Sequence, residues 1–320
     1  MTRFIGNSFR VTPLLVTCRD PNRKNLETIA KLVEKRRYNL DKPPDVGWVS
    51  FASMKDGREY SEKIIIWKLP NDLDILPVAG MVDVFDTKLK KRLPPNIYAE
   101  LPTRNRYYQI PMDFVFYKKD DKLYTLISST NERSVNISIK QFLENEPLSD
   151  YGFIFQKNPE DFKYGGDLIL WLLYRYYEKR GLINGNILIK DCSLLTGMSH
   201  TPNIFEYGGR ATPTYLDEVK LSIARKRVFD KVMLTLKFKG NLFEFLLHDD
   251  GRVEFKASEC EYLPGEKDIL KKNLGILTYF YTDIIPEIKK AYNNNYEKWV
   301  KVREKFRREK FAEIKASHSS

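Results

Sequence analysis

Residues 249–256, DDGRVEFK, hold the residue types in this chain best suited to bond-breaking chemistry. Residues two apart on a strand project to the same face, so Glu254 and Lys256 would stand side by side. With one more carboxylate they could hold Mg²⁺ while the lysine activates a water against a phosphodiester. The further acid is where the pattern weakens. Asp250 belongs to an Asp-Gly hairpin turn, and Glu244 on the preceding strand would have to substitute for it. The same acid-x-lysine spacing recurs at Glu218-Val219-Lys220 inside a predicted helix, as expected in a chain that is 30% charged. The preferred reading is the charged face of a β-hairpin, with no catalytic residue and no cofactor. Mg²⁺ enters only under the nuclease alternative, carried by Glu254 and Lys256 with Glu244 or Asp250.

Other catalytic patterns are missing. There is no G-x-x-x-x-G-K-[ST] or G-x-G-x-x-G to cradle phosphates, no H-E-x-x-H, and no Cys/His cluster for zinc. Of the three histidines, His318 lies near the end, His248 precedes a turn, and only His200 falls in a loop that could be functional. A lone loop histidine is more often incidental, and so few partners make no nucleophile–base–orienter set. The three cysteines, Cys18, Cys192 and Cys260, are widely spaced, the usage of a reducing cytoplasm. Arg10 and Pro13 interrupt any apolar leader, and runs such as LILWLLY (168–174) fall far short of a membrane span of ~20 residues. A cytoplasmic protein without membrane insertion is expected.

The elements that must carry these residues read as α+β: antiparallel or mixed sheets with packed helices and a helical, basic C-terminal segment. A helix is predicted at 25–40, and strands at DVGWVSFASM and KIIIWKLP. KLKKRLPPN (88–96) reads as an exposed loop. MDFVFYKK and KLYTLISS form a hairpin around Asp120-Asp121, followed by a short helix at 138–146. KYGGDLILWLLYRYYEKRG is the strongest helix, with Asp167 as N-cap and Gly181 as C-cap. NILIKDCSLL is a strand, Thr212-Pro213 opens a helix running to Phe229, and strands with turns at Gly240-Asn241 and Asp250-Gly251 follow. From Glu266 the chain is helical, with Pro286 as a break or kink. The expected organisation is a mixed α/β domain at 1–100, an α+β domain at 101–265 and the helical segment 266–320, with 88–106 the best boundary.

Binding chemistry remains. The formal charge is +11, a statement about partners rather than fold. Basic clusters occur at Lys35/Arg36/Arg37, Lys88/Lys90/Lys91/Arg92, Arg104/Arg106, Arg225/Lys226/Arg227 and through Lys298–Lys315, with aromatics interleaved. Cations for phosphates and flat rings for bases are what a nucleic-acid surface needs. In KWVKVREKFRREKF (298–311), Trp299, Val302 and Phe306 make an apolar helical seam. Lys301, Lys305 and Arg308 form one basic stripe, and Arg303, Arg307 and Lys310 another. The predicted phosphate contacts are Arg225, Lys226 and Arg227, with Lys301, Arg303, Lys305, Arg307 and Arg308. A basic protein-interaction scaffold is the other non-enzymatic reading.

The succession YGGDLILWLLYRYYEK, NILIKDCSLLTG, TPTYLDEVKLSIARKRVF and LFEFLLHDDGRVEFK, spanning 164–256, resembles the accessory, APAZ-like partner proteins of short prokaryotic Argonautes. The resemblance covers about a third of the chain and rests on the order of elements, not on an invariant motif. It implies a heterodimer with a short Argonaute, shared binding of guide and target, a role in antiviral or anti-plasmid defence, and no catalysis by this subunit. No sirtuin-like, TIR or nuclease effector is recognisable in this chain, and no family functional residue can be matched to a position here.

Overall fold

The computed structural model describes residues 4, 6–51, 62–69, 72–128, 132–145, 147–157, 159–198, 204–208, 217–262 and 265–317. The chain divides into two compact units, one of Met1–Ile5 and Val11–Lys157, the other of Gly6–Arg10 and Asn158–Ser320. Residues 88–106 lie inside the first. The architecture is α+β with antiparallel pairing, as the hairpin spacing predicts.

The first unit contains most of β1 (Ser8–Cys18), then β2 (Val46–Ser50), β3 (Trp67–Lys68), β4 (Asp74–Phe85), β5 (Tyr107–Lys119), β6 (Lys122–Ser128) and β7 (Phe153–Lys157). The strand order is β2-β4-β5-β6-β1-β7, with β3 also on β4. Asp120 and Asp121 both adopt positive φ, 49° and 59°, so that the two-residue turn between β5 and β6 matches the strand twist. Helix α1 (Leu26–Lys35) is capped by Asn25, whose side chain accepts from the Thr28 N–H at 2.8 Å. Its buried Leu26, Ile29, Leu32 and Val33 join Trp48, Phe114 and Phe142 in one core. KIIIWKLP supplies only the two paired residues of β3. The expected loop at 88–96 is instead two short helices, α2 (Thr87–Arg92) and α3 (Pro95–Glu100). Asp86 caps the first of them, and the prolines fall where each missing N–H costs nothing.

In the second unit, β8 (Ile187–Met198), β9 (Ile204–Gly208), β10 (Val228–Phe238), β11 (Asn241–His248) and β12 (Val253–Lys256) run in the order β12-β11-β10-β8-β9, with the first residues of β1 beside β12. The short helix predicted at 138–146 in the first unit is α4 (Glu132–Ser138) continued by a wider π-type turn, Ile139–Leu143. The second unit's helices are α5 (Gly165–Glu178), α6 (Asp217–Ala224), α7 (Ile269–Tyr279) and α8 (Ile285–Ser317). The expected helix to Phe229 stops at Ala224, because Lys226 turns at φ 57° and 228–238 alternates in burial as a strand. The start proposed at Thr212-Pro213 lies outside the described residues. A π-type turn, Phe280–Ile284, joins α7 to α8; Pro286 follows it as the second residue of α8, and the rod continues through it. No helix among the described residues is long and apolar enough to cross a membrane.

His248 ends β11, buried at 3% exposure, with no hydrogen-bond partner at Nε2 among the described residues. Burial, then the charges of Arg252, Lys231 and Arg10, push its pKa down from 6.5 to about 3. The folded protein keeps it neutral while the unfolded chain protonates it below its ordinary pKa. Stability is therefore lost as pH falls from about 6.5 towards 3, with a slope approaching about 1.4 kcal/mol per pH unit from this group alone. Denaturant unfolding at pH 7, 6 and 5 should show that slope in wild type and a flatter one in His248→Gln; equal slopes would remove His248 as its source.

Candidate nucleic-acid interface

The basic segments are organised by a carboxylate. Asp167 was expected to cap α5, but Tyr164 is the N-cap residue and makes no side-chain bond there. Gly166 brings the start of this helix onto β10, since a Cβ would stand 2.7 Å from Val228 Cγ1. Asp167, in the first turn, then faces α8 and accepts three hydrogen bonds from it. Tyr292 Oη donates at 2.7 Å, Trp299 Nε1 at 2.9 Å and Arg303 Nη1 at 2.8 Å. Burial works against its ionisation, but the donors from Tyr292, Arg303 and Trp299 outweigh it and hold the carboxyl below its ordinary range. The far end of α5 is closed by Arg180 at φ 51° and Gly181 at φ 78°, whose N–H returns to the Arg175 carbonyl at 3.0 Å.

Rotated by these bonds, α8 buries Trp299 and Phe306, each 1% exposed, against Tyr174 with ring centroids 5.2 and 5.4 Å away. The two predicted basic stripes thereby part company. Arg303 is engaged by Asp167, Arg307 by Glu304 at 2.6 Å, and Lys310, only 4% exposed, by Glu178 and Glu313 at 3.0 and 2.7 Å. Lys310 Nζ also lies 4.3 Å from the Tyr177 ring centroid. Lys301, Lys305 and Arg308 are exposed on the other side, and Lys298 and Lys315 extend their row. Of these, Lys305 makes an exposed ion pair with Glu309 at 3.6 Å.

The structure brings the second predicted group to the same helix. Lys226 Nζ lies 2.9 Å from Glu304, and Lys226 and Arg307 hold that carboxyl below its usual range. Arg225 is exposed beside it, and Arg227 donates to Ser222 Oγ at 3.3 Å. Lys226–Glu304 is an exposed pair of the kind worth little in water, so an incoming phosphate could replace it. Sequence reasoning missed a cleft of about 350 Å³ between α5 and α8, bordered by Trp171, Tyr174, Arg175, Lys179, Lys298, Lys301 and neighbouring residues.

The other basic clusters lie in the first unit, where their arginines are mostly engaged by nearby carboxylates and carbonyls. Arg104 is held by Asp83 at 2.7 Å, and Asp83 also accepts from Tyr38 Oη at 2.6 Å. Burial, then Asp83, push the Tyr38 hydroxyl up to about 12. Arg106 donates to the Ala99 and Leu101 carbonyls, and Arg36 and Arg37 pair with Asp45 and Glu34. Lys88, Lys91 and Arg92 on α2 remain exposed.

The acid-x-lysine hairpin forms two ion pairs: Arg10 with Glu254 at 2.8 Å, and Lys256 with Glu244 at 2.7 Å. Asp250 is engaged in its own turn with Arg252 at 2.7 Å. Among the described residues no three His, Cys, Asp or Glu side chains converge in a way that could hold a metal ion. Burial pushes the Cys260 thiol up to about 11 and that of Cys192 higher still. His200 and His318 lie outside the described residues. No family model and no curated protein matches this chain.

Asp167→Ala leaves the Trp299 N–H and the Tyr292 hydroxyl without their acceptor, and should destabilise the protein by about 2 kcal/mol. Hydrogen exchange should quicken first over 292–317. Unchanged protection of that segment would mean that the carboxylate does not anchor it.

Proposed function

We propose that this chain is a non-catalytic, nucleic-acid-binding subunit of a larger complex, contacting the phosphate backbone through one side of α8. The observation that carries this reading is the exposed row Lys298, Lys301, Lys305, Arg308 and Lys315, opposite the face that Trp299 and Phe306 bury. At ~1.5 Å rise per residue the row is about 25 Å long, comparable to several phosphates at ~3.4 Å along one strand of B-form duplex. Four of its five cations are lysines, flexible point charges that suit a phosphate without fixed geometry. Arg225 and Lys226 widen the row at its middle. Such contacts position a strand without reading its sequence. In keeping with the resemblance of 164–256, the partner is a short Argonaute, the bound strands RNA or DNA, and the setting defence against viruses and plasmids.

Binding of labelled single strands should weaken with salt. Replacing Lys301, Lys305 and Arg308 together with serine should lower the slope of log K against log[salt] by about 2, at ~0.7 for each phosphate no longer neutralised. Arg303→Met should lower stability and leave the slope alone, because that guanidinium is engaged by Asp167. A triple variant with the wild-type slope would remove this face from the site. Failure to bind any strand at moderate salt would point to an acidic protein as the partner.

A further inference from the structure

The α5–α8 cleft lies at the start of the cation row, and its chemistry differs from the row's. Tyr174, partly exposed, is the ring that offers a surface in the cleft, and Trp171 and Trp299, each 1% exposed, back it from below. Trp299 is locked by its bond to Asp167 at 2.9 Å. Arg175 lies 5.7 Å over the Trp171 ring, and its Nε and Nη2 donate to the Leu182 and Ile183 carbonyls at 2.7 and 3.0 Å. The guanidinium is thus held in place on the border of the cleft before anything binds. No acidic residue is among the described residues that border the cleft, whereas Lys179, Lys298 and Lys301 are.

Part of this charge has a local explanation. Arg175 and Lys179 stand at the C-terminal end of α5, where cations suit the helix dipole. Lys298 and Lys301 stand mid-helix on α8, where the dipole asks for nothing. They also belong to both features, bordering the cleft and opening the row that ends at Lys315. A ligand that satisfies both must carry a flat, apolar-faced group attached to a chain of regularly spaced anions. The volume, about 350 Å³, is within the ~300–1,000 Å³ of small-ligand sites.

We propose that the cleft accepts one unpaired nucleobase of a single-stranded nucleic acid, with the flanking phosphates on Lys298 and Lys301. This rests on the reading of α8 as a phosphate-contacting face and adds to it a preference for single strands. A base in a duplex is stacked between its neighbours and has no free face to offer, whereas a single strand can splay one out. Selection among bases is not expected, since every base has a π-face and stacking tolerates sequence.

The test compares a short mixed-sequence single strand with the same backbone carrying abasic sites, bound to wild type and to Val302→Phe. The latter fills the cleft and keeps every cation. Wild type should prefer the intact strand by about tenfold, the scale of one stacked base, and Val302→Phe should bind both strands as wild type binds the abasic one. A strand carrying 5-bromouracil should photocrosslink to wild type within 171–179 or 295–302. Equal binding of intact and abasic strands by wild type, with salt dependence preserved, would overturn the cleft assignment and leave the phosphate face standing. Crosslinks mapping only elsewhere would do the same, and would decide the matter if Val302→Phe did not fold. Binding of neither strand would overturn both readings.

Discussion

One carboxylate sets the geometry of the C-terminal half. Asp167 takes a hydroxyl, an indole N–H and a guanidinium from one face of α8, spread over Tyr292, Trp299 and Arg303. A single bond would let the long helix roll, but three donors along its axis fix rotation and translation together. The rings follow, because Trp299 and Phe306 can pack on Tyr174 only at that rotation. Which cations face solvent is then decided as well. The same sequence of alternating charges, rolled about the helix axis, would present Arg303, Arg307 and Lys310 outward and bury lysines that have no acid waiting for them.

Arginine and lysine divide their roles in both units. Arg104 on Asp83, Arg303 on Asp167 and Arg10 on Glu254 are arginines held by partly or fully buried carboxylates. A planar guanidinium is weakly hydrated and can make several directed bonds, so it tolerates such sites. The exposed row on α8 is mostly lysine, whose strongly hydrated ammonium is better left in water. Lys310 is the exception, and its surroundings explain why. Two carboxylates and the face of Tyr177 replace the water it gives up. The charge of +11 is therefore unevenly used: Arg104, Arg303 and Arg10 are engaged by carboxylates, while the exposed row on α8 is mostly lysine.

Much of the fold was legible because it depends on short-range rules. The turns at Asp120-Asp121 and Asp250-Gly251 follow from residues that tolerate positive φ, and α1 from its three- and four-residue apolar spacing under an Asn cap. The stripes on α8 were separable by periodicity too, since Lys301, Lys305 and Arg308 share a face that Arg303 and Arg307 do not. Their different fates were not legible. An acid in the first turn of a helix looks like a cap, and Asp167 finds its partners 125–136 residues away. Likewise Arg104 reads as a surface cation because Asp83, 21 residues away, reaches it only through the fold. The cleft was hidden for the same reason, as its two walls lie more than a hundred residues apart in sequence.

The acid-x-lysine hairpin shows how ion pairing limits a catalytic reading. A metal-dependent site needs carboxylates whose charge is left for the cation and a lysine whose proton can move. Here Glu254 faces Arg10 and Glu244 faces Lys256, so each acid already has a base and each base an acid. A divalent ion entering between them would have to displace two ion pairs and leave Arg10 and Lys256 beside it. Cross-strand pairs of opposite charge stabilise a hairpin by up to about 1 kcal/mol each, which is reason enough for these residues to alternate as they do. The acid-x-lysine spacing is then a consequence of strand periodicity acting on a charged face, and the chemistry of the chain is better sought where cations outnumber the acids that could hold them, along α8.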